Sequence, residues 1–215
     1  MTIRFSAVVP VVPILVISML GACSPPDQKS AGSNSFSASQ SVSPPKMASG
    51  DDCATSNVPM SKLESKAAGE PILEIPQPTG WTYSTAINSE RIRGAIFNTG
   101  LSANQFTPNA AVTLVDVTED ATSPQQALDT ERAGMVQSGV AITSETSGTL
   151  CGRQTRTINY PIEDRAGTTL IVADKFGQRI WVATLTIQTT RPDDPTYKAD
   201  KQIILDGFRF GPPAS

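Results

Sequence analysis

Between residues 141 and 190 four strand-like runs follow one another with almost nothing between them. They cover 141–149, 153–160, 168–176 and 179–190, with 164–167 and Gly177-Gln178 as tight turns between the later ones. A parallel pair needs a crossover of a dozen or more residues, which these gaps do not supply, so the runs predict an antiparallel meander. In the last run Trp181, Ala183, Leu185 and Ile187 alternate onto one face. Ile180 and Val182 fall on the other, together with Thr184, Thr186 and Gln188. A strand apolar on both faces at one end is predicted to lie centrally in its sheet, covered at least partly on both sides.

The remaining elements bracket this meander. Ile72-Leu73-Glu74-Ile75 reads as a short first strand, stopped by Pro76, Pro78 and Gly80 ahead of Trp81. Residues 91–97 and 111–117 read as a second and third strand, with 98–109 a polar loop between them. Ser123-Pro124-Gln125-Gln126 predicts a helix start, with a Ser cap, Pro at the first helical position and Gln at the third. Ala127, Leu128, Met135 and Val136 fall on or near one face of that helix, and Gly139 is a plausible stop. Asp194-Pro195 opens a second helix carrying Ala199, Ile203 and Ile204 and ending at Gly207; Phe208 and Phe210 follow in period two. The expected class is α+β, an antiparallel sheet flanked by helices, in a single domain over 58–215.

The N-terminal stretch has the layout of a signal peptide. Arg4 supplies the positive charge, and the apolar run over 5–20 is shorter than the ~20 residues that span a bilayer. Pro10 and Pro13 interrupt it. At its end, Leu20-Gly21-Ala22-Cys23 resembles the cleavage and lipidation site of a bacterial lipoprotein. That resemblance implies cleavage between Ala22 and Cys23, removal of residues 1–22, and a diacylglycerol thioether on Cys23. The lipid would hold the chain at the outer face of the cell membrane, its two acyl chains meeting the need for two anchoring signals. An ordinary cleaved secretory signal with Cys23 incidental is one rival reading, and a single-pass membrane anchor is another. Residues 23–57 are mostly Ser, Pro, Ala, Gly, Asn and Gln, with Phe36 the only aromatic. Such a stretch buries too little apolar area to offset its chain entropy and reads as a disordered tether. A flexible coil of about 35 residues has an end-to-end distance of roughly 30–35 Å. Its composition is also compatible with glycosylation.

Charge and residue inventory exclude several functions. The formal net charge is −3, and Arg4 is the only charge in the leader, so the exported chain is about one unit more acidic. Without a Lys/Arg cluster, neither nucleic-acid binding nor a polybasic grip on lipid headgroups is expected. Histidine is absent, which removes the commonest general base, the usual triads and most zinc sites. The pairs Asp51-Asp52, Glu119-Asp120, Glu163-Asp164 and Asp193-Asp194 lack the alternating ligand spacing of a calcium loop and read as caps, turns and solvated charge. Neither Lys175 nor Lys198 has a neighbouring Ser suggesting a dyad, and a Cys nucleophile lacks an activating partner. No catalytic residue, metal or cofactor is assigned, and an enzyme is not expected.

Three cysteines are present. With Cys23 lipidated, Cys53 and Cys151 are left outside the cytoplasm, where a disulfide between them is expected; two buried free thiols are the alternative. The bridge would clip the end of the tether onto the domain. Among the aromatics, Trp81 follows a Pro/Gly turn at the domain entrance and is expected to be half exposed. Trp81 and Trp181 are the candidate contacts for a ligand or partner.

The lipidation motif, the Ser/Pro-rich tether, Ile75-Pro76-Gln77-Pro78-Thr79-Gly80-Trp81, the capped helix, the meander and the closing Ile203-Ile204-Leu205-Asp206-Gly207-Phe208 together resemble the LpqN/LpqT-type lipoproteins of mycobacteria and related actinobacteria. The likeness covers about residues 70–210. It implies a PsbP-like sandwich and a cell-envelope lipoprotein that binds or assists other components, with no established catalysis. Cys53 and Cys151 lie outside the family pattern, so their pairing rests on this sequence alone. Two readings follow: a tethered, non-catalytic binding module for envelope proteins, or a carrier of a lipid or other hydrophobic small molecule.

Overall fold

The computed structural model describes Cys53 and residues 56–214. The leader, the Ala22–Cys23 cleavage and lipidation site and most of the tether lie outside the described residues. Within them, no helix is long and apolar enough to cross a membrane.

The elements run β1 (Met60–Lys62), β2 (Ile72–Pro76), β3 (Thr82–Ser84), β4 (Ile92–Phe97), β5 (Asn109–Asp116), α1 (Pro124–Gln137), β6 (Ser144–Leu150), β7 (Arg153–Ile162), β8 (Arg165–Phe176), β9 (Arg179–Thr189), α2 (Pro195–Gly207) and β10 (Arg209–Gly211). A seven-stranded sheet has the order β3-β4-β5-β9-β8-β7-β6, and a small sheet has the order β1-β2-β10. Every pairing is antiparallel. β9 lies in the middle of the large sheet, where its two-faced apolar pattern puts it. The class is α+β, the PsbP-like arrangement expected.

Several local expectations need correction. β1 and β3 have three residues each, too few to show a period of two. Pro76 does not stop the strand but ends it from within. β10 pairs only with Ile72–Glu74, so Pro76 lies where one side of β2 has no strand partner and little ladder bonding is lost. The β7–β8 turn is Glu163-Asp164 alone, because Ile162 already pairs with Arg165. Glu163 takes the left-handed conformation (φ 55°) that the tight turn demands. Gly167 is a strand residue: a Cβ there would meet the Tyr160 ring at 3.1 Å, so the glycine makes room for the tyrosine rather than for a bend.

Both helix starts follow their sequence signals. Ser123 accepts from the Gln126 N–H at 3.2 Å, and Gln126 Oε1 reaches back to Thr122 N at 2.8 Å. Asp194 accepts from the N–H groups of Thr196 and Tyr197. The helix faces are less well foretold. α1 buries Ala127 and Leu128, but Val136 is 47% exposed. α2 turns Tyr197, Asp200, Ile204 and Gly207 inward, leaving Ala199 outside and Ile203 39% exposed. Gly207 lets the end of α2 pack closely on β2, since any Cβ would come within 2.6 Å of Pro76 Cγ.

The core has two parts, one on each side of the large sheet. On one side Leu170, Val172, Trp181, Ala183, Leu185 and Ile187 pack with Leu73, Ile75, Ile204, Phe208 and Phe210 from the small sheet, α2 and the closing segment. On the other, Ile158, Ile171, Ala173, Ile180 and Val182 pack with Ala127 and Leu128 of α1. Burying each large side chain contributes roughly 1.5–3 kcal/mol relative to exposure.

Candidate functional site: the open half-face beside α1

α1 packs on β7, β8 and β9, and on the same face Ala111 and Thr113 of β5 and Thr184 and Thr186 of β9 stay only partly covered. Strand register shows what that face presents. Ala95, Ala111, Thr186, Thr169 and Ile158 form one row across β4, β5, β9, β8 and β7. Thr113, Thr184 and Ile171 form the next. Ala95, Ile158, Thr169 and Ile171 are fully buried, whereas Ala111, Thr113, Thr184 and Thr186 are only partly buried, so the opening lies over β5 and β9. The result is a recess floored by small and hydroxylated side chains on rigid strands. Tyr160 Oη lies 2.9 Å from Thr169 Oγ1, which lies 3.1 Å from Thr186 Oγ1, so a chain of hydroxyls runs from the α1 core into the recess. Burial holds the Tyr160 phenol above its ordinary value, so it stays a neutral hydrogen-bonding group. Among the described residues, the Thr113 and Thr184 hydroxyls have no partner.

Charges of both signs stand at the rim. Glu131 lies on the α1 stripe that carries Ala127 and Leu128, one turn along. Burial raises its pKa, and the Arg91 guanidinium offsets only part of that rise. Arg91 precedes β4, and its carbonyl accepts from Leu114 N at 3.0 Å, which sets it at the β4–β5 side of the recess. At the other end Arg165 donates to Gln188 Oε1 at 3.3 Å and stacks 5.0 Å from the Phe106 ring centroid. Such a surface can donate hydrogen bonds to a polar partner and accept them from it.

The Glu131 shift carries a sign that can be tested. A carboxyl whose folded pKa exceeds its unfolded value contributes stability fully present below about 4.5, its ordinary value, and lost as pH rises through the folded pKa. Glu131→Gln is therefore expected to be more stable than the parent at pH 7. The difference should vanish as the pH falls through the ordinary carboxylate range, as followed by urea midpoints between pH 4 and 7.

The structure distributes the residues singled out in the sequence differently. Trp81 is 5% exposed, not half exposed, because its indole joins the core under α2 and its Nε1 donates to Asp200 Oδ2 at 2.8 Å. Trp181 is 4% exposed and lies on the opposite face of β9 from the recess. Neither indole borders the open half-face. Cys53 and Cys151 are joined by a disulfide with Cα atoms 4.3 Å apart, Cys151 standing at the β6–β7 turn. Asp193 pairs with Lys198, Glu163 with Arg165, and Asp194 caps α2. The recess residues left a trace in the sequence. β9 changes from Ile180 and Val182 to Thr184, Thr186 and Gln188 on one face, which marks where cover by α1 ends. Nothing local marked Thr113 or Glu131, which reach the site through strand register and helix docking.

With this geometry in view, comparison with known proteins is informative about the fold. The chain has a TM-score of 0.58 and 17% identity with the crystal structure of LpqN, a protein involved in cell envelope biogenesis of Mycobacterium tuberculosis; the match covers 73% of this chain and 92% of that one. The Saccharomyces cerevisiae Ran-binding protein Mog1p matches with a TM-score of 0.41 and 10% identity, over 64% of this chain and 89% of its own. No protein-family model and no curated protein matches the sequence. The LpqN-like fold is thus shared at low identity.

Proposed function

We propose that this chain is a cell-envelope lipoprotein, held by a lipid on Cys23 and a flexible tether, whose domain is a non-catalytic binding module for envelope proteins. The open half-face beside α1 carries this reading. It presents unpartnered hydroxyls, a desolvated carboxyl and a guanidinium on a rigid scaffold, where ordering a partner costs the domain little. The lipidation motif and the likeness in fold to LpqN support an envelope setting.

The test is site-specific photo-crosslinking in native membranes, with the crosslinker at Thr184. A discrete protein adduct is expected. Thr184→Arg, which fills the recess, should lower capture by crosslinkers placed around it by about tenfold or more while leaving the melting temperature unchanged. Gln202→Arg, on the exposed side of α2, should leave capture intact. Equal adduct yields from the Thr184→Arg chain would remove the recess from the binding surface. Native mass spectrometry of the same preparation separates the two sequence readings, since a lipid adduct beyond the anchor would favour the carrier.

A further inference from the structure

The seven-stranded sheet has two edges of very different character. β3 offers three residues, and both edges of the small sheet are equally short. β6 offers seven, paired to β7 without a register break from Ser144↔Asn159 to Leu150↔Arg153. Ser144 to Thr149 are exposed throughout. A long edge presents a row of unpaired N–H and C=O groups, and proteins usually blunt it with Pro, Lys, a bulge or a covering segment. The β6 sequence, Ser-Glu-Thr-Ser-Gly-Thr-Leu, contains neither Pro nor Lys. Its one charge, Glu145, is neutralised within the domain by Arg132 at 2.9 Å and Arg156 at 2.6 Å.

We infer that β6 is a self-association edge and that its occupant is β6 of a second copy of this chain. An antiparallel pairing centred on Ser147 places Ser147 opposite itself, Glu145 opposite Thr149 and Thr146 opposite Gly148. No like charges face each other, and the Ser147 hydroxyl meets its own copy on the two-fold axis. The flank above the edge is self-complementary as well. Asp129, Arg132, Glu145 and Arg156 form a mixed-sign network along α1, β6 and β7, two acids and two bases, which a two-fold axis sets against the same network reversed. Val136, 47% exposed, follows Arg132 by one helical turn on α1. The pairing joins two seven-stranded sheets edge to edge and leaves both recesses open, so it is independent of what the recess binds.

The experiment is size-exclusion chromatography with light scattering on the chain from Ser24 onward, over about 1–500 µM, a span that brackets weak to moderate affinities. The mass is expected to rise towards two chains. In Ser147→Glu the new carboxylate faces Arg156 within its own domain but opposes its like across the two-fold axis. Its dissociation constant should rise about tenfold or more, with an unchanged melting temperature and partial recovery in high salt. Thr149→Pro, which removes one outward-facing edge donor, should also give the single-chain mass. A single-chain mass at every concentration overturns the inference, as does a dimer that both variants leave intact. If deleting residues 24–50 makes the β6 amides of a single-chain species exchange faster, the chain's own tether is the occupant and the second copy is excluded.

Discussion

Glu70→Ala is expected to lower the unfolding free energy by about 3–5 kcal/mol, the range for breaking a buried ion pair from one side. Glu70 Oε1 accepts from Arg93 Nη2 at 2.7 Å, with the two side chains only 5% and 6% exposed. Its other oxygen accepts from Lys66 N at 2.8 Å and from Ser65 Oγ at 3.3 Å, so the carboxylate ties the β1–β2 connection to β4. Arg93 also donates to the Glu90 carbonyl at 2.6 Å, while its Nε has no partner among the described residues. Removing Glu70 leaves a guanidinium in a site that water does not reach, and the desolvation penalty is no longer offset. The companion measurement is the double replacement Glu70→Leu with Arg93→Met, which should recover much of the loss because both charges leave together. Urea denaturation gives both numbers. A loss below about 1 kcal/mol for Glu70→Ala would mean the pair behaves like an exposed one.

The disulfide should carry a stabilisation of similar size. Cys53 and Cys151 are 98 residues apart, and the chain-entropy account gives roughly 4–5 kcal/mol for closing so long a loop. Cys151→Ser is expected to lower the denaturation midpoint accordingly, and the parent chain in excess dithiol should fall to the same midpoint. Under denaturing, non-reducing conditions, the chain from Ser24 onward should titrate with no free thiol. Two thiols there, or a midpoint indifferent to reductant, would refute the bridge. Cys53 is then held twice, through the backbone into β1 and through sulfur at the β6–β7 turn. Arg153 steadies that turn by donating to the Cys151 carbonyl at 3.1 Å.

How far the sequence is legible depends on how local the deciding interaction is. The helix starts were readable because Ser123 and Asp194 satisfy N–H groups two or three residues away. The meander was readable because strands joined by two residues have no choice but to pair. Failures came where a distant residue decided the outcome. Gly167 resembles a turn residue until Tyr160 lies across it. Trp81 resembles an exposed entrance residue until Asp200, 119 positions away, accepts its N–H. Ile203 is as apolar as Ile204, but α2 docks along the stripe of Tyr197, Asp200, Ile204 and Gly207, which leaves Ile203 at its margin.

By itself, the sequence determined an inventory without histidine, two capped helices and an antiparallel meander with β9 at its centre. Each follows from composition, from short-range hydrogen bonding or from a period of two, none of which needs a partner far along the chain. Only the tertiary structure decided which half of the α1 face stays open, which edge strand stays long and unprotected, and which polar groups are drawn inside. Those outcomes depend on where helices dock and how strands register, and docking is settled by the summed packing of residues remote in sequence.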